Sequence, residues 1–340
     1  MTSRTEILYR AMAWAVEQYH DFMFNDPSAS FVKNYIDQRK INSDSVSLFK
    51  IGFSPFKRSL LQDRLPGSGF SEETLVECGL ISESRNGGFY DRFAGRVLFP
   101  IFDTENRAIA IGGRIVPGLV PDEEQPPGKY YNSPTTPIYS KSDNFYGLNL
   151  ICDSVSGVGN RKITVVEGFT DVIAAYQGGL RNVVACQGTA LNLNHINRLR
   201  IFADSITLVL DGDEAGRSRS NSAIDLFLSS DLDLNVLSLP DGLDPFGFIQ
   251  DHGTGLFQEL VDNAPSAIEH KIQSETNGID LIFETYRSNQ ALESILRTLS
   301  QAQGIQSLKV EGAVREVAEL FQVSEILVTN RLREIGRSVL

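Results

Sequence analysis

The sequence predicts a multidomain chain in which a mixed α+β region precedes an α/β region with a parallel sheet and a helical region. Three observations carry this prediction. Residues 1–160 mix short helical patterns with Gly- and Pro-rich connections, residues 161–255 alternate apolar runs with helical stretches, and residues 256–340 read as helices. A length of 340 residues is enough for about two domains, and we place subdomain boundaries at these changes of pattern.

The first region begins with two helix candidates, "ILYRAMAWAVEQYHDFMF" and "SASFVKNYIDQRKI". Next come two strand-like runs, "VLFPIF" and "AIAIGGRIV", joined by the polar turn "DTEN", and this pattern predicts a β-hairpin.

The second region contains four strand, loop and helix units, whose strands lie in "KITVVEGF", "NVVACQGTA", "SITLVLDGD" and "DLNVLSLP". This alternation predicts a mainly parallel sheet flanked by helices, with ligands beyond the carboxyl ends of the strands. We expect Thr189 to cap the helix after the second strand.

The helical tail has apolar residues at amphipathic spacing, namely Leu292, Ile295, Leu296 and Leu299, and then Val314, Val317, Ala318 and Leu320. We expect these helices to pack on each other and Ser324 to cap the last one.

Acidic residues follow three of the four predicted strands: Glu167, then Asp211 and Asp213, then Asp241 and Asp244. Gathered at one sheet edge, such carboxylates would repel each other unless a cation such as Mg²⁺ or Mn²⁺ neutralised them. Magnesium is held by carboxylates together with substrate phosphates, so the pattern indicates phosphoryl or nucleotidyl transfer.

These acids also have structural interpretations. Asp213 or Glu214 could cap the following helix, where a carboxylate satisfies free backbone N–H groups. Asp171, four residues after Glu167, could be a ligand, a hydrogen-bond partner or a cap. Of the acids around "LDGD", we assign Asp211 and Asp213 to the metal and Glu214 to the start of the helix.

A local set of cations stands out on this acidic chain, whose net charge of −12 opposes nonspecific nucleic-acid binding over the whole surface. Its members are Arg92, Arg96, Arg107, Arg114, Lys129 and Lys141. A solvated surface is the usual location of such residues. The neighbouring Tyr130, Tyr131 and Asn132 favour nucleotide or single-strand contact, because bases stack on aromatic rings while cations hold phosphates.

The three cysteines are odd in number and scattered, which argues against a disulfide framework and against a zinc ribbon. The sequence has no long uncharged apolar stretch and no continuous apolar segment at its start, so we expect no membrane span and a cytoplasmic location.

At family level, "VVEGFTDV", "CQGTA" and "LDGDEAG" resemble the three signature segments of the Toprim domain of primases, topoisomerases and some nucleases. Upstream, "GFSEETLVECGL", "YDRFAGRVLFPIFDTENRAIAIGGRIV" and "KYYNSPTTPIYSKSDNFYGL" are similar, in order, to the catalytic core of DnaG-type bacterial primases. The resemblance covers most of residues 10–255 and, more loosely, the helical tail.

This resemblance implies synthesis of short RNA primers from nucleoside triphosphates on a single-stranded DNA template. By position, Glu167, Asp211 and Asp213 match the family's metal ligands, and Asp171 and Asp244 match its additional acidic positions. The residues that match the basic side facing the active site are Arg92, Arg96, Arg114, Lys129, Tyr130, Asn132 and Lys141. Two metal ions, Mg²⁺ or Mn²⁺, would then activate the primer 3′-hydroxyl and stabilise the leaving pyrophosphate.

The sequence departs from the family at Phe246, where the family usually has another acid, which puts a full second-metal site in doubt. The family's zinc-binding module and its helicase-binding domain are also missing from these residues, so we expect no zinc in this chain and no direct site for the replicative helicase. Two alternatives stay open at this point: a Toprim-type nuclease, and a noncatalytic module that binds single-stranded DNA.

Overall fold

The computed structural model describes residues 3–84, 87–120, 128–151, 161–210, 214–228, 230, 232–302 and 306–338. The chain forms two compact units, one of Met1–Ser154 with Gly168–Gln187 and one of Val155–Glu167 with Gly188–Leu340. The three predicted subdomains remain a prediction. No helix in the described part of the chain has the length and apolar character needed to cross a bilayer.

The first unit combines helices with short antiparallel strands. Its helices are α1 (Arg4–Asn25), α2 (Ser30–Gln38), α3 (Ser43–Leu48), α4 (Leu60–Arg64), α5 (Glu72–Glu77), α6 (Leu148–Ile151) and α7 (Phe169–Gln177). Its strands are β1 (Gly52–Ser54), β2 (Ile81–Glu83), β3 (Phe89–Asp91), β4 (Arg96–Phe102), β5 (Ala108–Ile115), β6 (Tyr130–Asn132) and β8 (Val183–Ala185). The two helices predicted near the start of the chain are therefore confirmed as α1 and α2.

A four-stranded antiparallel sheet of order β1-β4-β5-β6 forms the centre of this unit, and α1 packs against β1 and β5. The predicted hairpin is confirmed, since Val97 of β4 pairs with Arg114 of β5. Its turn is closed by Asp103, whose Oδ1 accepts the backbone N–H of Glu105 at 3.0 Å and of Arg107 at 2.9 Å. This register puts Arg114 at the open end of the hairpin and Arg107 at its turn.

The second unit contains the parallel strands β7 (Lys162–Val166), β9 (Ser205–Leu210) and β10 (Asp233–Ser238). β9 lies between the other two and pairs in parallel with both. All four strands predicted for the α/β region are present, with β8 as the second. Their interiors are mostly apolar and buried, as is typical of strands covered on both faces.

Seven helices of the second unit are described: α8 (Leu193–Leu199), α9 (Glu214–Leu228), α10 (Pro245–Asp262), α11 (Ala267–Thr276), α12 (Thr285–Leu299), α13 (Gln306–Leu320) and α14 (Glu325–Ser338). The predicted cap at Ser324 is confirmed, because its Oγ accepts the backbone N–H of Leu327 at 3.3 Å. The predicted cap at Thr189 is wrong. The chain stays non-helical for three more residues, and Asn192 caps α8 by accepting the N–H groups of Asn194 and His195 at 2.9 and 3.1 Å.

The predicted packing of the tail is largely confirmed. Ile295 and Leu296 of α12 and Val317 of α13 are fully buried. Leu320 departs from the prediction with 40% of its side chain exposed. It is the final residue of α13.

A buried carboxylate ends the two-stranded β2-β3 sheet of the first unit. Asp91, at the end of β3, is 3% exposed, and its Oδ2 accepts the backbone N–H of Leu61 at 3.5 Å. Burial raises the pKa of Asp91 to about 7, because removal from water disfavours the charged carboxylate.

This raised pKa predicts a pH-dependent stability. A folded-state pKa above the unfolded value means that the folded state holds the proton more tightly, so this stabilising contribution is complete below about pH 4 and is lost as the pH rises to about 7. The amide that replaces the carboxyl group cannot ionise, so the free energy of unfolding of Asp91→Asn should not fall in this range. We therefore expect its difference from the parent to grow by on the order of 2 kcal/mol between pH 5 and pH 7. Urea unfolding at a series of pH values, followed by the fluorescence of Trp14, the single tryptophan, measures the free energy of unfolding of each protein. The exposed Asp37→Asn serves as control, and parallel curves for all three proteins would contradict the prediction.

Candidate functional site

A buried arginine connects β4 to the chain around β6. Arg96 is 1% exposed, and its guanidinium donates to the backbone carbonyls of Lys129 and Gly128, each at 3.2 Å. Burial lowers the pKa of Arg96, and the nearby Tyr131 partly opposes this shift. Its cation is thus used to position the start of β6 and has little surface left for direct contact with a ligand.

Arg114 and Tyr130 form a second pair, in which the arginine is buried and the tyrosine is partly exposed. They are register partners on β5 and β6, and Nη1 of Arg114 donates to the Tyr130 hydroxyl at 2.6 Å. The guanidinium carbon lies 5.2 Å from the centre of the ring, which is cation–π distance. Burial raises the pKa of Tyr130 and the Arg114 charge opposes it, while 37% of the tyrosine stays exposed.

Arg92 and Arg96 both place a guanidinium group beside Tyr131. Arg92 lies just after β3 and donates to the hydroxyls of Ser82 and Tyr131. Its guanidinium carbon is 5.3 Å from the centre of the Tyr131 ring. The Arg96 guanidinium carbon is 5.8 Å from the same ring. The structure therefore brings together Arg92, Arg96, Arg114, Tyr130 and Tyr131, which we call the arginine–tyrosine cluster.

Two further residues extend this cluster and were missed in the sequence. Arg39, just after α2, lies with its guanidinium carbon 5.4 Å from the ring of Tyr35. Its charge opposes the rise in the pKa of Tyr130. The signal was a tyrosine and an arginine four residues apart at a helix end, the spacing that puts both on one helix face.

The remaining residues of the predicted basic side occupy different surroundings. Lys129 is exposed beside the cluster, and Nδ2 of Asn132 donates to the backbone carbonyl of Gln187 at 3.1 Å. Lys141 is half-buried, which lowers the pKa of its ammonium group, while nearby Cys186 opposes that shift.

Arg107 does not join the cluster, and its inclusion among the basic residues was wrong. It pairs with Asp103 at 2.7 Å and Glu105 at 3.1 Å, and its guanidinium carbon is 4.1 Å from the Tyr9 ring. These contacts are at the turn of the hairpin, and the cluster is at its open end. The two positions are separated by the length of β5, roughly 20 Å.

Phe169, the first residue of α7, fixes that helix to the sheet of the first unit. It is 2% exposed, and its ring lies parallel to Phe99, with interplanar angle 1° and centroids 5.2 Å apart. The ring crosses Tyr146 edge-on at 4.9 Å and lies 6.2 Å from Tyr130. A Cβ at Gly112 of β5 would lie 2.1 Å from Cζ of Phe169, so only glycine leaves room for the ring.

The start of α7 also contains Asp171. It is 5% exposed, and its Oδ2 accepts the backbone N–H of Gly168, the N-cap residue of α7, at 2.8 Å. Capping was one of the three roles considered for this residue. Its catalytic role stays a prediction.

In the second unit, Glu167 directly follows β7 at the carboxyl edge of the parallel strands. The neighbouring β9 pairs with β7 through Val165 and Leu208 and ends at Leu210, at the same edge. Asp211 and Asp213 lie outside the described residues. Within the part of the chain that is described, no three acidic, His or Cys side chains form a metal-binding group. Glu214 begins α9, as expected of a helix-start residue.

Asp244 has a clear structural role. Its Oδ1 accepts the backbone N–H of Gly247 at 2.7 Å as the N-cap of α10, and the side chain is exposed. Asp241 lies in the preceding 3-10 turn, Pro240–Gly242, and Phe246 is half-buried in the first turn of α10. Metal binding by Asp244 remains a prediction.

The donors predicted at this edge suit a hard cation. Glu167, Asp211, Asp213 and Asp244 offer only carboxylate oxygens, the ligand type preferred by Mg²⁺ and Mn²⁺. The described cysteines Cys78 and Cys186 are both buried and far apart in sequence. The donor chemistry therefore fits the implied metal.

Comparison with known proteins gives consistent matches. The family profile for the DNA primase catalytic core, N-terminal domain, matches residues 18–151, and that for the Toprim domain matches residues 161–238. A DNA primase of Clostridium acetobutylicum is 35% identical over 266 residues, which are 78% of this chain and 43% of that protein. The chain spans about half the length of the curated relatives it matches.

Solved structures match over nearly the whole chain. A DNA primase domain from Pseudomonas aeruginosa has a TM-score of 0.84 at 29% identity and covers 97% of this chain and 99% of its own. A DnaG primase catalytic domain, described as bound to single-stranded DNA, has a TM-score of 0.80 at 27% identity, covering 95% of this chain and 99% of its own. The predicted arrangement of α+β, parallel-sheet and helical parts is thereby confirmed.

The close approach of Phe169 to Gly112 predicts a strong and specific coupling. Gly112→Ala should destabilise the first unit by about 1–3 kcal/mol, because the added methyl group must push the ring from its place between Phe99 and Tyr146. In a Phe169→Ala background the same change should cost close to nothing. Urea unfolding of the four proteins of this double-mutant cycle, read by Trp14 fluorescence, measures the coupling. If Gly112→Ala lowered the free energy of unfolding equally with and without the Phe169 ring, the predicted coupling would be wrong.

Proposed function

Because this chain belongs to the DnaG-type DNA primase family, we propose that it synthesises short RNA primers on single-stranded DNA from nucleoside triphosphates. The observation that carries the proposal is the arginine–tyrosine cluster, a local concentration of cations and aromatic rings on a chain of net charge −12. Such a cluster meets the two needs of a single-stranded template, which are neutralised phosphates and stacked bases.

Within the cluster the side chains have different proposed tasks. Arg114 and Arg92 hold Tyr130 and Tyr131 through their hydroxyls, so that the rings stay oriented and keep a cation beside them. Arg96 fixes the start of β6 through its hydrogen bonds to the backbone carbonyls of Lys129 and Gly128. The exposed Lys129, with Asn132 and Lys141, would contact the nucleotide or the template backbone.

Ordered rings lose less conformational entropy when a base stacks on them, which favours binding. The DNA-bound primase domain among the structural neighbours supports this choice of ligand.

On the second unit, Glu167, Asp211 and Asp213, with Asp244 as an additional acid, would hold Mg²⁺ or Mn²⁺. When bound, two such ions supply activation of the primer 3′-hydroxyl and charge neutralisation at the transferred phosphate. Asp171 is proposed as a further catalytic acid. Its hydrogen bond to Gly168 fixes its rotamer, as a positioned catalytic group requires.

The proposed partners are the single-stranded DNA template, nucleoside triphosphates and the growing RNA primer. A zinc-binding module and the replicative helicase are further partners expected of longer members of the family. Phe246, in place of the family's acid, leaves Asp241 and Asp244 as the available carboxylates around a second metal ion.

Two other functions remain as alternatives. A Toprim-type nuclease would share the strand-end carboxylates and would not need the "KYYNSP" strand that supplies both tyrosines of the cluster. A noncatalytic module would use the cluster alone to bind single-stranded DNA.

A primer-synthesis assay separates these functions. The protein is incubated with Mg²⁺ or Mn²⁺, single-stranded DNA and labelled ribonucleotides, and the products are separated by length. We expect short RNA products that fall by about 100-fold or more in Asp211→Ala, which removes a proposed metal ligand. Asp251→Ala, an exposed acid of α10, is the matched control and should retain full synthesis.

Two other outcomes would favour the alternative functions. DNA cleavage without RNA synthesis would replace the primase proposal with a nuclease. Salt-sensitive binding of single-stranded DNA without either product, under both metals, would reduce the chain to a binding module.

A further inference from the structure

A cavity of about 400 Å³ opens on the second unit, among α9, β10, α11 and α13. Its apolar wall includes Phe227, Leu228, Leu234 and Ile268, each at most 7% exposed. All lining residues belong to this unit, and the proposed primase function uses none of them. A volume of this size holds a small organic molecule.

One wall of the cavity is helix backbone at Gly312, midway along α13. A Cβ built at this residue meets no atom within 4 Å, so no packing contact requires the glycine. Glycine is among the least favourable residues in a helix interior. Its presence keeps the cavity wider at this wall than any other residue would.

The opening of the cavity is acidic. Glu269 and Glu316 lie at its rim, and both are exposed; Oε2 of Glu269 accepts the backbone N–H of Ser266 at 2.8 Å, which leaves its Oε1 for a ligand. Partial burial raises the pKa of Glu316, and the charges of Glu269 and Glu319 raise it further, so the rim carboxylates feel each other's charge. The one described cation of the lining, Lys309, is already paired with Asp233 at 2.6 Å.

We propose that this cavity binds a small organic cation, with its apolar body against the wall of buried side chains and its ammonium group at the rim between Glu269 and Glu316. The apolar body gains from leaving water. The positive group relieves the repulsion between the two carboxylates. The same cavity disfavours an anion, because the rim repels it.

A series of three probes of equal chain length tests the charge preference: hexylammonium, hexanol and hexanoate. Their dissociation constants are measured by saturation-transfer NMR with the full chain. We expect hexylammonium to bind about five-fold more tightly than hexanol, the scale of a contact with exposed carboxylates, and hexanoate to bind most weakly.

Variants locate the site. Gly312→Leu should fill the cavity and abolish hexylammonium binding, whereas Gly255→Leu on α10, another helical glycine with no atom near its built Cβ, should bind as the parent does. Gly312→Ala is the milder variant and should weaken binding only slightly. Glu316→Gln should reduce the preference for hexylammonium over hexanol, while Glu311→Gln, on α13 but outside the cavity lining, should leave it unchanged.

Thermal unfolding confirms that each variant is folded before its binding is compared. Equal affinity for the three probes would overturn the cationic preference, and undiminished binding to folded Gly312→Leu would overturn the location. Because the readout is binding alone, its result is independent of whether the chain synthesises primers.

Discussion

The first unit depends on the packing of one aromatic ring against one glycine. Phe169 begins α7, and its ring fills the space that a side chain on Gly112 would occupy. The ring also contacts Phe99 of β4 and Tyr146, and it lies beside Tyr130 of β6. One side chain therefore fixes a helix start, two strands and a proposed base-stacking tyrosine relative to each other. The capping carboxylate of Asp171 is positioned as a result.

The arginine–tyrosine cluster shows how an acidic chain keeps positive charges beside two tyrosine rings. Arg96 donates to two backbone carbonyls, and Arg114 and Arg92 donate to tyrosine hydroxyls. These acceptors are neutral, so the cations are held in place without loss of their charge. Arg107 illustrates the opposite case, since two carboxylates neutralise it at the hairpin turn. Position in the hairpin, and not residue type, decides which arginines are neutralised by carboxylates.

Much of the fold was predictable because it follows local rules. The hairpin, the four strands of the α/β region and the cap at Ser324 follow from hydrophobic period, turn composition and capping chemistry. The errors arise where tertiary context decides: Asn192 caps α8 in place of Thr189, and Leu320 falls beyond the buried stripe of α13. The missed Tyr35 and Arg39 act on the pKa of Tyr130, which is more than ninety residues away in sequence, only through folding. The glycine pair in β5 carried a signal for close approach, but its partner, Phe169, lies more than fifty residues away.

The central claim is that carboxylates at the ends of the parallel strands bind a catalytic metal in a primase core. The most direct measurement is an anomalous difference map from crystals grown with Mn²⁺ and a nucleoside triphosphate. The account predicts a manganese peak about 2.1 Å from carboxylate oxygens of Glu167, Asp211 and Asp213, with the triphosphate beside it. Ordered density for these three side chains with no peak among them, or a triphosphate bound elsewhere on the chain, would contradict it.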